Sequence, residues 1–353
     1  MLKNSAPILQ IVPRTPGGHD GVGDYAARLA EQLKADFGRE TRFAVAPLES
    51  ISQSQCADSD IILHYANYGY HTRGVPTQLP SILAQLKQRC RRKLLTIFHE
   101  LYASAPPWRS AFWLQPWQKS IARSIARISD ACLVSSETMR DTLQRLAPGR
   151  PISVHPVIST LGEPDFSPPQ FVRRDSHRWA IFGGTHLLQR SLQSFRQRIA
   201  VIPDFFSARE LFLLGGSDTN ALRNELDQIR GVTCHYHPAI DASAASEILS
   251  SCSFAWIDYF RQRDVPTAVI LKSGSFASYC AHGVIPILPH HGSPVALRGD
   301  QLPGPYFVEA NRTHLPAFAE RAKVSADIYE WYRRHASVEL LAKAIAALLH
   351  VKQ

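Results

Sequence analysis

The chain has 353 residues, 45% of them hydrophobic, and a formal net charge of +9. That is apolar material for two packed domains of about 150 residues each, which excludes a disordered or fibrous chain, and the positive excess favours anionic partners such as nucleotides, nucleic acid or an acidic membrane surface. No run of about 18 apolar residues occurs, and MLKNSAPILQIV has no long apolar core, so the expectation is a cytoplasmic protein that at most touches a membrane from outside.

Ile8 to Val12 reads as a short strand that stops at Pro13. Gly17, Gly18, Gly21 and Gly23 follow, and from Asp24 the apolar Tyr25, Leu29 and Leu33 recur at i, i+4 and i+8, the period of an amphipathic helix. The helix therefore opens onto a glycine loop. GGHDGVGD cannot be written GxGxxG, which disfavours a nicotinamide dinucleotide. Phe43 to Ala46 and Ile61 to His64 are further strands. The second leads into YANYGYHTRGVP, where Tyr68, Tyr70 and Arg73 are residues of the kind that line a sugar site. Simple packing of this loop onto the body accounts for the tyrosines too.

Ser81 to Cys90 reads as a helix ending in the basic run LKQRCRRK, which suits phospholipid headgroups or merely complements its own helix dipole. Leu94 to Phe98 is a strong strand, and His99-Glu100 sits at its carboxyl end, where open α/β sheets place their ligands. LYASAPPWRSAFW then reads as an aromatic loop and Trp117 to Ile128 as a helix. Ala131 to Val134 is a strand running into the helix cap Ser135-Ser136-Glu137, and Pro151 to Ile158 is the last strand of this half. Strands and helices alternate throughout, so a parallel sheet covered on both faces follows.

Thr160 to Arg178 is rich in proline and charge, and residues 166–178 are taken as a linker. Trp179 to Phe182 starts a second glycine-marked unit, with Gly183-Gly184 before a helix that carries Arg190. Strands follow at Leu211 to Leu214, ahead of Gly215-Gly216, at Val232 to Tyr236 and at Phe254 to Asp258. The run AVIL before Lys272 reads as another. Ser273, Gly274 and Ser275 then cap a helix whose free N–H groups and dipole favour a phosphate, with the lysine adding a full charge. An ordinary crossover with a capping serine fits the same residues. His282-Gly283 ends that helix, Val284 to Leu288 is a buried strand, and helical spacing returns from Ala326 to the end. The six cysteines lie far apart without a CxxC pair and read as buried free thiols in a reducing compartment.

Taken together, GGHDGVGDYAARLAEQL, LLTIFHELY, ISDACLVSSE, IFGG and AHGVIPIL resemble a GT-B glycosyltransferase of family 4, over nearly the whole chain. The resemblance implies an α/β architecture of two Rossmann-like, doubly wound domains facing a cleft. Residues 1–165 would bind the acceptor, 179–325 the nucleotide-sugar, and the helices of 326–353 would cross back to the first domain. It implies transfer of a hexose-type sugar from a nucleotide-sugar to an acceptor hydroxyl, with retention at the anomeric carbon. No metal is required, and there is no cofactor beyond the nucleotide-sugar co-substrate.

By the same resemblance, Gly17, Gly18, Gly21 and Gly23 border the donor phosphates, and Gly183, Gly184, Ser273, Gly274 and Ser275 lie on the donor side. Arg190 and Lys272 neutralise the diphosphate, His99 and Glu100 shape the sugar pocket, and Tyr68, Tyr70 and Arg73 fall to the acceptor, which would be a glycan, a lipid-linked molecule or a small molecule. A peripheral membrane contact fits the basic run, and nothing resembles a nucleic-acid recognition module. One departure stands out, because family 4 enzymes usually carry a pair of glutamates leading into the segment equivalent to AHGVIP. Here VILKSGSFASYCAHG has no acidic residue. A catalytically silent GT-B protein that binds a nucleotide or a protein partner is therefore the alternative.

Overall fold

The computed structural model describes residues 6–17, 21–45, 48, 51, 58–90, 92–103, 108–201, 208–260, 265–289, 292–304, 306–309, 312–313 and 318–350. These residues group into two compact units, one of residues 1–156 with 338–353 and one of residues 157–337.

In the first unit the order is β1 (Ile8–Val12), α1 (Gly21–Phe37), β2 (Thr41–Val45), β3 (Asp60–Tyr65), the single turn α2 (Asn67–Tyr70), α3 (Leu79–Cys90), β4 (Leu94–Phe98), α4 (Ser110–Ile128), β5 (Ala131–Val134), α5 (Glu137–Leu146) and β6 (Ile152–Val154). Its six strands are all parallel, in the order β2-β1-β3-β4-β5-β6. Strands β1, β3, β4 and β5 are buried at every position, as continuous Ile, Leu and Val runs require when helices cover both faces.

The second unit runs α6 (Pro168–Val172), β7 (Asp175–Phe182), α7 (Thr185–Val201), β8 (Glu210–Leu214), α8 (Asn220–Leu226), β9 (Thr233–His237), α9 (Ala242–Ser251), β10 (Cys252–Trp256), a 3-10 turn (Thr267–Lys272), α10 (Gly274–Ala281), β11 (Ile285–Leu288), a hairpin of β12 (Ala296–Leu297) and β13 (Asp300–Gln301), β14 (Tyr306–Glu309), β15 (Arg312–Thr313) and α11 (Phe318–His335). Its main sheet has the order β15-β14-β11-β10-β7-β8-β9, with only β15 antiparallel. The last helix, α12 (Val338–His350), belongs to the first unit and packs on α1, with Leu341, Ile345 and Leu349 on its buried face.

Four sequence expectations change. The run AVIL is not a strand but a 3-10 turn, in which Ile270 and Leu271 are buried and Lys272 is exposed. Helix α1 starts at Gly21 rather than Asp24, so two of the loop glycines belong to its first turn. The aromatic loop becomes helical from Ser110, and α4 runs through Pro116. Residues 166–178 are not a free linker. Ser167 starts α6 with a capping box, and Pro168 and Pro169 stand where a helix's first turn has amides to spare. Buried Arg174 then lies between the rings of Phe166 and Phe171 and donates to the carbonyls of His282 and Gly283. The break between the units falls at Pro156/Val157.

Of the cysteines, Cys90, Cys132, Cys234, Cys252 and Cys280 are free thiols, all buried except the half-buried Cys234, and Cys56 lies outside the described residues.

Candidate functional site

In an open parallel sheet the chain leaves a crevice where one connection goes to one side of the first strand and a later one to the other side. In the first unit that place lies between β1 and β3, and in the second between β7 and β10. Both glycine loops leave the sheets there.

At the first crossover the side chains come from three adjacent strands and from α1. Gln10 is a fully buried polar residue in the apolar β1, and its Oε1 lies 2.6 Å from Nε2 of His64, buried on β3. His64 Nδ1 lies 3.2 Å from Nε2 of His99, which follows β4 and donates its own backbone N–H to the carbonyl of Tyr65. The orientation of the Gln10 amide sets the tautomers along this chain: with Oε1 assigned toward His64, Nε2 of His64 is the donor to Gln10 and Nδ1 of His64 accepts from His99. Tyr25, in the first turns of α1, packs roughly perpendicular to both imidazoles, with centroids 5.7 Å from His64 and 5.0 Å from His99. Burial holds the His64 imidazolium well below its ordinary range, helped by His99, and pushes His99 down to about 4. At neutral pH both rings are uncharged. His99 is half-buried, and Glu100 beside it is exposed.

The glycines here have separate roles. A Cβ on Gly23 would come within 3.2 Å of Pro16 Cα, so this glycine lets the loop lie against the first turn of α1. Gly17 has φ of +87°, and Gly21 faces open space. Gly18 lies outside the described residues. Of the acceptor-side residues, Tyr70 points its hydroxyl at the carbonyls of Ile11 and His64 and so ties α2 to the strand ends. Tyr68 and Arg73 are exposed, and the Tyr68 hydroxyl is 3.5 Å from Gln118 Nε2.

At the second crossover the loop of Gly183 and Gly184, the loop of Gly215 and Gly216, and the start of α10 meet. A Cβ on Gly183 would be 3.0 Å from Ser275 Oγ, and one on Gly215 would be 2.8 Å from the Gly183 carbonyl. Both positions have positive φ, which favours glycine, and at Gly215 the close neighbour is backbone that cannot give way. The Tyr279 hydroxyl, one turn into α10, accepts from the Phe182 amide at 2.6 Å and so pins the end of β7 to this helix. Thr185 Oγ1 accepts the amide of Ser217, closing the two glycine loops on each other.

Ser273 caps α10 through its Oγ, which accepts from the Phe276 amide, and this leaves the amides of Gly274 and Ser275 without a hydrogen-bond partner among the described residues. Lys272, next to them, is exposed and forms no ion pair or hydrogen bond among the described residues. Arg190 is engaged otherwise. Its Nε and one Nη donate to the carbonyls of Asp258 and Tyr259 at 2.6 and 2.9 Å, bracing the segment after β10 against α7.

Searches for relatives give a fold rather than a family. No protein-family model matches the sequence, and no curated protein does. Solved structures match over nearly the whole chain. An alpha-glucosyltransferase in complex with UDP-glucose and DNA containing an abasic site superposes with a TM-score of 0.59 at 11% identity, covering 98% of each chain. Anabaena Alr3699/HepE in complex with UDP and glucose gives 0.58 at 10%, over 98% of this chain and 99% of that one. WaaG, a glycosyltransferase involved in lipopolysaccharide biosynthesis, gives 0.57 at 8%, over 98% and 100%. The chain has the GT-B fold. In GT-B terms the second sheet, with its order 3-2-1-4-5-6 counted from β7 through β11 to β14, is a full Rossmann sheet, and the first follows the 2-1-3-4-5 order.

The sequence reading singled out His99 but not the residues behind it. Gln10, a lone polar residue in ILQIV, and His64, a second histidine ending an apolar strand, were the available signals.

Proposed function

We propose that this chain is a nucleotide-sugar-dependent glycosyltransferase, similar to family 4, which moves a hexose-type sugar to an acceptor hydroxyl with retention and without a metal. The observation that carries this reading is the group at the second crossover: Gly183 against Ser275, two free amides at the start of α10, and the unpaired Lys272. A nucleoside diphosphate leaving group gains negative charge in the transition state, and fixed amides with an ammonium beside them stabilise it there more than in the bound donor. In this reading Gly183, Gly184, Ser273, Gly274 and Ser275 hold the donor, and Arg190 keeps the segment after β10 in place behind them. The departing phosphate takes the acceptor's proton. The first unit supplies the acceptor side through Tyr68 and Arg73, with His99 and Glu100 shaping the sugar pocket.

UDP and UDP-glucose, carried by solved neighbours, are the first ligands to test. The experiment is thermal stabilisation across a panel of nucleotide-sugars, followed by detection of free nucleoside diphosphate and glycosylated acceptor. A ligand at about 100 times its dissociation constant adds roughly 2.7 kcal/mol of stability. Stabilisation without release of the diphosphate would favour the second reading, a silent nucleotide-binding protein, for which the lack of any Asp or Glu from Val269 to Gly283 speaks. Neither stabilisation nor release across the panel would overturn both.

A further inference from the structure

The basic run at the end of α3 is partly neutralised within the unit, since Lys87 pairs with Asp130 at 2.7 Å and Arg92 lies 3.5 Å from Asp60. A different surface stands out. Among the described residues, four of the seven exposed large hydrophobic side chains fall in one short stretch at the start of α4, where Trp108 is 81% exposed, Trp113 65%, Trp117 57% and Phe112 37%; the other three, Phe43, Tyr68 and Val172, are scattered along the chain. Globular proteins scatter exposed apolar residues singly, and a contiguous patch of large aromatics marks an interaction surface.

The helix has two distinct faces. Gln118, Ile121, Ala122, Ile125 and Ala126 are buried against the unit. The opposite stripe, at spacings of three and four, is Arg109, Phe112, Trp113, Pro116, Trp117, Ser120, Arg123 and Arg127, all exposed. The outward face is thus aromatic for two turns and basic for the rest. From Leu101 to Ser129 the sequence contains four basic residues, Arg109, Lys119, Arg123 and Arg127, and no acidic one.

Tryptophan rings prefer the boundary between headgroups and acyl chains, and arginines in the same plane meet lipid phosphates. No described helix is long and apolar enough to cross a membrane, so the contact this surface can make is from one side. We propose that the outward face of α4 docks this protein on an anionic lipid bilayer, with Phe112, Trp113 and Trp117 seated among the headgroups and Arg123 and Arg127 on their phosphates. Charge complementarity selects the bilayer over a second copy of the chain, which would bring two identical basic faces together.

The test is flotation of the full chain with vesicles of phosphatidylcholine alone and of phosphatidylcholine with a third phosphatidylglycerol. The partition coefficient should rise at least tenfold with the anionic lipid and fall with salt. The double variant W113S/W117S should lose at least tenfold, and R123E/R127E should lose the preference for anionic lipid. Circular dichroism checks that each variant is folded. Brominated lipid gives a readout on the unmutated protein: the other three tryptophans, Trp179, Trp256 and Trp331, are buried, so quenching reports on the α4 segment alone. No flotation with either vesicle, flotation unaffected by the tryptophan substitutions, or a dimer in solution that W113S/W117S dissolves would overturn the proposal.

Discussion

His99 Nε2 lies 3.2 Å from His64 Nδ1, and the two rings are within 16° of parallel. Each ring is a base whose charged form is disfavoured by burial, and the partner's charge adds to the penalty at His64. An unfolded histidine titrates near 6.5, so the unfolded chain takes up protons first. Stability from this pair is present above about pH 6.5 and is lost as the pH falls from there toward about 4. Chemical denaturation at pH 7.5 and at pH 5 should show the loss, and His64→Gln should flatten the slope. Equal slopes in the variant and the unmodified protein would remove the pair from the acid response.

For turnover, His99→Ala is expected to lower kcat at least tenfold, about 1.4 kcal/mol, while the melting temperature and the affinity for free nucleoside diphosphate stay near their original values. In the proposed reading the diphosphate is held by the second unit, which this substitution does not touch. A variant that only loses stability, with activity following the folded fraction, would make His99 a packing residue.

Lys272→Met keeps the aliphatic stem and removes the charge. A charged hydrogen bond to phosphate is worth about 1.5–3 kcal/mol, so donor kcat/KM should fall at least about tenfold. Lys93→Met, in the basic run of the first unit, is the control. Small and equal effects at both positions would sink the role of Lys272.

Two glycines separate shape from binding. Gly215→Ala places a methyl 2.8 Å from a backbone carbonyl at φ of +91°, so a loss of stability above about 1 kcal/mol is expected. Gly21→Ala meets nothing within 4 Å in the first turn of α1 and should be neutral or stabilising by up to about 1 kcal/mol. If the loop borders the donor, Gly21→Ala nevertheless raises donor KM. Unchanged kinetics in a stable Gly21→Ala protein would take Gly21 out of the site.

Removing residues 338–353 takes away the helix that packs on α1, together with its buried Leu341, Ile345 and Leu349. Burying each such side chain contributes about 1.5–3 kcal/mol, so a chain ending at Ser337 should melt well below the full chain, with the loss falling on the first unit. Hydrogen exchange localises it. Unchanged protection in α1 would show that the helix contributes nothing there.

The alternating pattern of strands and helices was legible because the runs ILQIV, IILH and LLTIF are apolar without interruption and DYAARLAEQL has a clear helical period. Where reading failed, the reasons are physical. AVIL is four apolar residues, and over that length periodicity cannot tell a strand from a buried 3-10 turn. The helix was read from Trp117, yet α4 starts at Ser110 and runs through Pro116, whose missing amide falls on the exposed face. His99 was singled out by its place at a strand end. Its orientation by His64 and Gln10 was not, because those contacts join positions 35 and 54 residues apart in sequence and depend on strand order. Arg190 was matched to the diphosphate, and its hydrogen bonds to two carbonyls were not legible because they join positions 68 and 69 residues apart.

The placement of α12 also orders events during synthesis. Residues 1–156 leave the ribosome long before the helix that covers α1, and all of the second unit is made in between. At about 5–20 residues per second, the apolar face of α1 that α12 will cover stays open for on the order of ten seconds or more. The second unit is complete in sequence when Ser337 emerges, whereas the first must wait for the final stretch. The second unit, though later in the chain, is therefore the first able to finish folding, and for that interval a completed second unit is joined to a first unit whose α1 is still uncovered.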